Sequence, residues 1–286
     1  MTQRHPARTG QSRHSTRALR QPPFFWQLAG FFFLFCGLVD AQLVQNLQNF
    51  PLRRQLNALK ATVRIKGYGT RGSVSTGTGT LVGLDNTSIW ILTASHVVHK
   101  GVKEVHVFWY DGRFSTKNPT PKKVVAQHVS GDVALVRLFT TDKMPGYIPI
   151  CPVGKEPKGW GFGGTAFGAD SMRYGFSRIL CLSVGCDHGR NPSVNTFWVL
   201  GQTYKRTNYS TDYFTVTSRE PAPGRSGGPL VSGDGYLVGV CVAGGGGEGV
   251  FATLKSIRRL CDVAGVSSLY GGKMRAVIPS RKPGGC

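Results

Sequence analysis

The chain has 286 residues, enough for one or two domains. Its 35 Lys and Arg against 14 Asp and Glu give a net charge of +21, dispersed along the chain rather than gathered in one block. No RRM, KH, zinc-finger or helix-turn-helix signature accompanies the charge, which therefore indicates only weak binding to RNA or acidic lipid. Abundant glycine and short apolar runs between turn signals predict an all-β barrel or sandwich.

The beginning of the chain divides into two unlike segments. Residues 1–23 hold five arginines and no acid, which predicts a disordered basic lead. Residues 24–39 carry no charge, and as a helix they would span about 24 Å, less than the ~30 Å hydrocarbon core. Residues 24–41 are therefore open to three interpretations: a short membrane anchor, a cleaved secretory signal or a buried helix. We favour the anchor, and with it a membrane-associated protein, because the three adjacent phenylalanines would project all round a helix.

The sequence is compatible with two orientations of such an anchor. The positive-inside rule places the arginine-rich lead in the cytosol, so a single crossing would put the rest of the chain on the far side. A re-entrant or in-plane segment would keep it in the cytosol instead. A cleaved signal would make the protein secreted.

Seven cysteines are scattered along the chain, and their odd number argues against a complete disulfide framework. Cys181 and Cys186 are close enough in sequence to bridge locally, although we favour unpaired thiols. No spacing resembles a zinc site, because these two cysteines with His188 lack a fourth ligand. We predict no metal and no cofactor.

Two strand-like segments in the first half of the chain bring candidate catalytic residues. Residues 42–60 are predicted to form a helical linker, and short strands follow. Residues 90–98, WILTASHVV, form an apolar run that ends in small residues and His96. Residues 131–138, GDVALVRL, place Asp132 at the start of an alternating strand. Asp111 is a competing acid, but it lies in an exposed-looking Asp-Gly turn.

A glycine-rich turn, GRSGGPLV at residues 224–231, supplies a candidate nucleophile. Gly224 would let its own N–H and that of Ser226 aim at one point, forming an oxyanion hole. Serine needs a base to take its proton, and the base needs an anion to hold its tautomer. The order His96, Asp132, Ser226 is one of the known chain orders of this triad. Taken one by one, the three could be a core histidine, a strand-capping aspartate and a plain strand-joining turn.

Together the segments LTASHVV, GDVALVRL and GRSGGPLV resemble the catalytic segments of the chymotrypsin-like (trypsin-fold) serine endopeptidases, and the resemblance covers about residues 60–262. It implies an all-β fold of two six-stranded antiparallel β-barrels, about 61–142 and 143–265, with a short C-terminal helix near Leu254–Asp262. It also implies that His96 and Asp132 come from the first barrel and Ser226 from the second. A basic tail, 266–286, would follow the protease domain.

The same resemblance assigns a substrate-binding pocket. Glu220 lies six residues before the serine, where family members place the pocket floor, and Gly244 and Gly249 match the pocket walls. A carboxylate at the base of an open slot would favour Lys or Arg at P1. Arg219 could neutralise this carboxylate, and virus-encoded relatives often prefer Glu or Gln, so the preference stays open.

One departure from the digestive members concerns activation. They carry an acidic residue before the serine that pairs with a new N-terminus, whereas this chain has Arg225 there, so activation by a buried N-terminal amine is not expected. Arginine or asparagine at this place resembles virus-encoded polyprotein proteases and the high-temperature-requirement (HtrA) proteases. The latter usually carry a PDZ domain, for which the residues after Asp262 are too few.

Two classes of function follow. The first is a membrane-associated serine endopeptidase that acts through an acyl-enzyme on polypeptides, including its own polyprotein in cis, as in positive-strand RNA viruses of plants and fungi. A secreted or periplasmic trypsin-like or HtrA-like housekeeping protease is the alternative within this class. The second class is a non-catalytic module that reuses the fold to bind RNA or membrane. The intact His-Asp-Ser set favours the enzyme.

Overall fold

The computed structural model describes residues 50–69, 72–84, 88–99, 102–108, 123–128, 130–139, 146–157, 179–206 and 211–271. The predicted basic lead and the hydrophobic segment 24–41 lie outside these residues, as does most of the predicted basic tail. In the part of the chain that is described, no helix is long and apolar enough to cross a membrane.

The described residues form twelve strands and two α-helices, with short 3₁₀ turns between some of them. In chain order the helices and strands are α1 (Leu52–Lys60), β1 (Thr62–Gly69), β2 (Val74–Leu84), β3 (Ser88–Ala94), β4 (Val102–Phe108), β5 (Lys123–His128), β6 (Val133–Phe139), β7 (Ile179–Gly185), β8 (Ser193–Arg206), β9 (Thr211–Thr217), β10 (Pro229–Val231), β11 (Leu237–Gly245), β12 (Glu248–Thr253) and α2 (Leu254–Val263).

The first six strands form an antiparallel sheet in the order β4-β1-β2-β3-β6-β5. Strand β3 lies between β2 and β6, and all seven of its residues are buried, as expected of the short apolar run Ile89–Leu92 at its centre. The two end strands, β4 and β5, are connected through a segment outside the described residues.

The last six strands close into a barrel in the order β10-β11-β12-β9-β8-β7. The predicted all-β fold with a short C-terminal helix is therefore confirmed. Of the two predicted six-stranded barrels, the second is a closed barrel, and the first is a six-stranded sheet within the described residues. The connection between the halves runs along both of them: Ile148 N–H donates to the carbonyl of Leu81 in β2 at 2.9 Å, and Cys151 N–H donates to the carbonyl of Leu237 in β11 at 3.0 Å.

The two helices pack against the strands of this structure. Helix α1, part of the predicted linker, packs on the core through Ala58 and hydrogen bonds to it through Asn57, whose amide donates to the Tyr147 carbonyl at 3.2 Å. Helix α2 buries a stripe at helical spacing, as the sequence indicates. Its buried apolar side chains are Leu254, Ile257, Leu260 and Cys261. Leu269 is also buried, so packing continues past residue 265, where the tail is predicted to begin.

Candidate active site

The pairing of β3 with β6 brings His96 and Asp132 together. In this antiparallel register Ala94 lies opposite Val133, so the residues after β3 and the residue before β6 emerge at the same end of the sheet. A 3₁₀ turn, Ser95–Val98, then turns the chain at this edge. Two segments that are 36 residues apart in sequence are therefore neighbours because of strand register alone.

Asp132 holds the histidine turn with both its backbone and its side chain. Its carbonyl accepts the Ser95 N–H at 3.0 Å, and Oδ1 accepts the His96 N–H at 2.9 Å. Oδ2 lies 2.7 Å from His96 Nδ1. An ionised carboxylate only accepts hydrogen bonds, so Nδ1 carries the proton and the Nε2 lone pair is free to act as a base. Asp132 adopts φ 49°, a left-handed conformation that aspartate tolerates.

The candidate nucleophile lies on a turn that is fastened to the first sheet. The carbonyl of Ser226 accepts the N–H of Thr78 in β2 at 2.7 Å. Gly227 follows at φ 89°, where a Cβ would lie 2.9 Å from the backbone N of Ala94 and 2.0 Å from the carbonyl oxygen of Thr78. Only glycine allows this close approach. The nucleophile turn therefore contacts the end of β3, two residues before His96.

The Ser226 hydroxyl makes a weak contact only. Within the described residues its Oγ donates to the carbonyl oxygen of Val242 in β11 at 3.5 Å and makes no hydrogen bond to His96. Hydrogen bonds between a serine and its base are often long without substrate and tighten when substrate binds.

The peptide bond between Pro223 and Gly224 has a fixed orientation. Its carbonyl oxygen accepts the His188 N–H at 2.6 Å. Since N–H and C=O of a trans peptide point in opposite directions, the Gly224 N–H points away from His188. Gly224 lies at φ 90°, and a Cβ here would be 2.6 Å from the carbonyl oxygen of Cys186. Both the backbone angle and the space therefore require glycine.

The peptide bond between Arg225 and Ser226 is oriented in the same way. Its oxygen accepts the Gly228 N–H at 2.8 Å, so the Ser226 N–H points away from that donor. Neither the Gly224 nor the Ser226 N–H makes a hydrogen bond within the described residues, whereas the Arg225 N–H does. Two free N–H groups flanking one residue are what an oxyanion hole requires.

The predicted pocket residues lie close together, but the carboxylate is not buried. Glu220 is exposed, and its Oε2 accepts the N–H of Gly247 in the β11–β12 turn at 3.3 Å. A Cβ on Gly244 would lie 2.7 Å from Glu220 Cγ, so the acidic side chain runs directly past this glycine. At Gly249 a Cβ would lie 2.4 Å from Thr217 Oγ1. Glu220 therefore lies at an open edge rather than on a desolvated floor, and its role in binding stays a prediction.

Sequence reasoning missed two groups of residues around the nucleophile turn. Thr78 Oγ1 accepts the Cys186 N–H at 2.9 Å and donates to the Gly224 carbonyl at 2.7 Å. This hydroxyl therefore links β2 to the residue after β7 and to the nucleophile turn. Asp187 binds the Arg225 guanidinium, with oxygen–nitrogen distances of 2.8 and 2.6 Å. The signal that could have found Asp187 is Arg225 itself, since a cation between small residues beside a buried strand must find an anion.

The described residues also include other side chains that could react or bind a metal ion. No three His, Cys, Asp or Glu side chains group there in a way that could hold a metal ion. The five cysteines there are free, including Cys181 and Cys186, and all are buried. Burial raises the pKa of the Cys181 thiol to about 12 and that of Cys151 to about 11, so these thiols are poor nucleophiles at neutral pH.

Comparison with known proteins places this geometry in a family. The family profile described as the trypsin-like peptidase domain matches residues 77–240, more than half of the chain. This match begins beside Thr78 in β2 and includes His96, Asp132 and Ser226. Comparison with curated protein sequences gives no match.

Solved structures agree at the level of the fold. The active form of the Rv3671c protease from M. tuberculosis is 19% identical, with a TM-score of 0.52, over 74% of this chain and 84% of that one. The serine endoprotease from Yersinia pestis is also 19% identical, with a TM-score of 0.52, over 74% of this chain and 65% of that one, slightly under two thirds of its length. From its fold and its sequence match, the chain belongs to the trypsin-like peptidase family.

Proposed function

We propose that the protein is a serine endopeptidase in which Ser226 is the nucleophile, His96 the general base and Asp132 the residue that orients it. The observation that carries this proposal is the position of the nucleophile turn. This turn carries a serine and two free N–H groups, and it adjoins the sheet edge where Asp132 Oδ2 lies 2.7 Å from His96 Nδ1. Nucleophile, base, orienting anion and oxyanion donors are the four parts that acyl transfer needs.

In the first half of the reaction, Ser226 Oγ attacks the carbonyl carbon of the scissile peptide bond. His96 Nε2 takes the hydroxyl proton as the bond forms, and Asp132 stabilises the imidazolium through Nδ1. The negative charge that develops on the substrate oxygen is bound by the N–H groups of Gly224 and Ser226. His96 then gives its proton to the leaving amine, and an acyl-enzyme remains on Ser226.

In the second half, water replaces the amine. His96 takes a proton from this water, the resulting hydroxide attacks the acyl carbon, and the same two N–H groups bind the oxyanion again. Collapse of the intermediate releases the acid product and returns the proton to Ser226 Oγ. The side chain of His96 is 49% exposed and that of Asp132 23%, so water reaches the base without any opening of the fold.

The substrate that fits this site is a polypeptide, and we propose a preference for Lys or Arg at P1. Glu220 supports this preference because its carboxylate runs past Gly244 beside the β11–β12 turn. Exposure limits its strength, since a solvated ion pair contributes little compared with a buried one. The preference should therefore be modest and sensitive to salt.

We also propose that the protein acts at a membrane, attached through residues 24–39, and processes a polyprotein that includes its own chain. The order of basic lead, hydrophobic segment, protease and basic tail supports this, because viral polyproteins show it at their N-terminal end. The full chain should sediment with membranes, and a chain beginning at Gln42 should stay soluble or be released by salt. A full-length, uncleaved protein in the supernatant would remove the anchor and favour a housekeeping protease.

Peptide hydrolysis by the purified full chain tests the proposed activity. The wild-type protein should cleave an unstructured protein substrate, and Ser226→Ala should abolish cleavage. Ser95→Ala is the matched control, because Ser95 adjoins His96 but only its backbone N–H contacts Asp132. Its cleavage rate should stay close to that of the wild type. A wild-type chain that cleaves nothing, yet binds RNA or vesicles, would favour the non-catalytic alternative.

A further inference from the structure

A cation lies buried directly behind the candidate nucleophile. The Arg225 side chain is fully shielded from solvent, and the backbone of Gly185 packs on it. Its Nε and Nη2 donate to the two oxygens of Asp187, at 2.8 and 2.6 Å. Its Nη1 donates to the Ser183 carbonyl at 2.9 Å, and Nη2 also donates to Ser193 Oγ at 2.5 Å. This bidentate arrangement fixes the guanidinium plane as well as its charge.

The carboxylate that faces Arg225 belongs to a turn that contacts the oxyanion peptide. This turn, Asp187–Gly189, contains His188, whose N–H holds the carbonyl of Pro223 at 2.6 Å. His188 adopts φ 52°, which is unfavourable for a residue with a side chain. Such a conformation persists only where the surroundings impose it. The bidentate Arg225–Asp187 ion pair is one of these surrounding contacts.

The position of Arg225 in the chain links the ion pair to the two free N–H groups. Arg225 lies between Gly224 and Ser226, so any shift of its backbone displaces the two residues whose N–H groups are free. A guanidinium that loses its counter-charge in a buried position is strongly unfavourable and is driven toward water. Without the Asp187 carboxylate, Arg225 would therefore move and displace the N–H groups of Gly224 and Ser226. The Asp187–Gly189 turn would also lose a contact that keeps His188 in its left-handed conformation.

We propose that Arg225 and Asp187 are a positioning pair that holds the peptides of Gly224 and Ser226 in the orientation that catalysis requires. The proposal rests on the proposed endopeptidase function. Both partners are present within the described fold, so the oxyanion hole forms without a new N-terminal amine. The pair does not touch substrate, and it acts on the rate of the chemical step rather than on substrate binding.

The direct test is Asp187→Asn, which keeps the shape of the side chain and removes its charge. We expect kcat to fall about 10²-fold, as when one oxyanion donor is lost, with KM nearly unchanged. A peptide aldehyde, which forms an oxyanion on Ser226, should bind weaker by the same factor as the loss of kcat/KM. Glu156→Gln is the matched control, because it removes the charge of a second carboxylate that is paired with an arginine and is not part of the nucleophile turn. In this pair Glu156 Oε1 lies 2.7 Å from Arg258 Nη1, a distance similar to that of the Asp187–Arg225 pair. Its kcat should stay within about twofold of the wild type.

A second variant separates positioning from stability. The double substitution Arg225→Met with Asp187→Leu removes both charges and replaces them with apolar groups, which often leaves stability intact. We expect this variant to fold and to bind substrate, but to turn over about 10²-fold more slowly. Asp187→Glu should recover part of the rate lost in Asp187→Asn, because it restores the counter-charge.

The outcomes distinguish the pair from the underlying function. Wild-type cleavage that is lost in Ser226→Ala establishes the protease, whatever the pair does. If the folded Asp187→Asn protein, or the folded double variant, then keeps wild-type kcat and aldehyde affinity, the positioning role is wrong. A wild-type chain without Ser226-dependent cleavage would overturn the endopeptidase and this role with it.

Discussion

The two halves of the candidate site are built in opposite ways. On the first sheet, His96 and Asp132 lie at an open strand edge, with 49% and 23% of their side chains exposed, and among the described residues Asp132 alone fixes the histidine itself, through its backbone N–H and its ring. On the second barrel, the nucleophile turn is held by a buried network in which Arg225 has no exposed surface. In the proposed mechanism, the histidine that exchanges protons therefore faces solvent, while the N–H groups that bind the oxyanion lie on a turn held by buried contacts.

This difference corresponds to the different requirements of proton transfer and of oxyanion stabilisation. Proton transfer needs access to substrate and water, and one orienting hydrogen bond is sufficient to select the tautomer of the base. Stabilising an oxyanion needs donors that do not reorganise, which requires a rigid support. We therefore expect the first half to be sensitive to the loss of functional groups and, apart from the Ser226 hydroxyl itself, the second half to be sensitive to shape.

The largest effect should come from the reacting groups themselves. We expect Ser226→Ala and His96→Ala each to lower kcat by roughly 10⁶-fold, and the double variant to be little worse, because the residues act as a unit. Steady-state hydrolysis of a peptide substrate measures this. Additive losses in the double variant would show that the two residues do not share one step.

Asp132→Asn should have the next largest effect. An amide in place of the carboxylate keeps the size of the side chain but can stabilise the wrong tautomer of His96, so kcat should fall by about 10⁴-fold. Asp187→Asn gives the comparison within the same chain, with an expected loss of only about 10²-fold. If the two variants lost the same factor, Asp132 would not hold the base.

The shape-sensitive half is tested by Gly224→Ala. At φ 90°, with a Cβ placed 2.6 Å from the Cys186 carbonyl, the substitution must move the backbone, and we expect kcat to fall about 10²–10³-fold. Gly233→Ala is the matched control, because nothing lies within 4 Å of its Cβ. Circular dichroism and thermal unfolding of both variants show whether the fold is kept. A Gly224→Ala enzyme as fast as Gly233→Ala would contradict the assigned oxyanion hole.

The smallest effect should concern specificity. Glu220→Gln should reduce the preference for Lys or Arg over Gln at P1 by about tenfold or less, since the carboxylate is exposed. A peptide library read by mass spectrometry measures the preference, with Asp234→Asn as a control acid in the β10–β11 turn. Cleavage after Glu, Gln or an apolar residue in both variants would place the pocket floor at other residues.

The sequence was informative where the pattern is local and periodic. The apolar run of β3 and the stripe of α2 each predict an element and its buried residues, and the structure has both. The alternation of β6 predicts the strand but not its burial, because its first four residues are all buried. The proximity of His96 and Asp132 follows from the antiparallel pairing of two strands that the sequence already marks. These features need only nearest neighbours in a strand or helix, so a single chain reveals them.

Contacts that depend on three-dimensional convergence were not predictable in this way. Asp187 and Arg225 are separated by 38 residues and by two long strands, and no periodicity links them. Thr78 lies in a strand whose alternating Thr and Gly indicate a strand but not which backbone its hydroxyl will bind. The exposure of Glu220 depends on how the β11–β12 turn folds back, which the motif spacing does not encode.

Labelling with a fluorophosphonate probe tests the central claim most directly, because the probe reacts only with a serine that is activated by its base. The full chain should gain one probe mass, and peptide mapping should place it on Ser226. His96→Ala should lose the label, whereas Ser95→Ala should keep it. A label on another residue, or a folded wild-type chain that takes up none, would contradict the account.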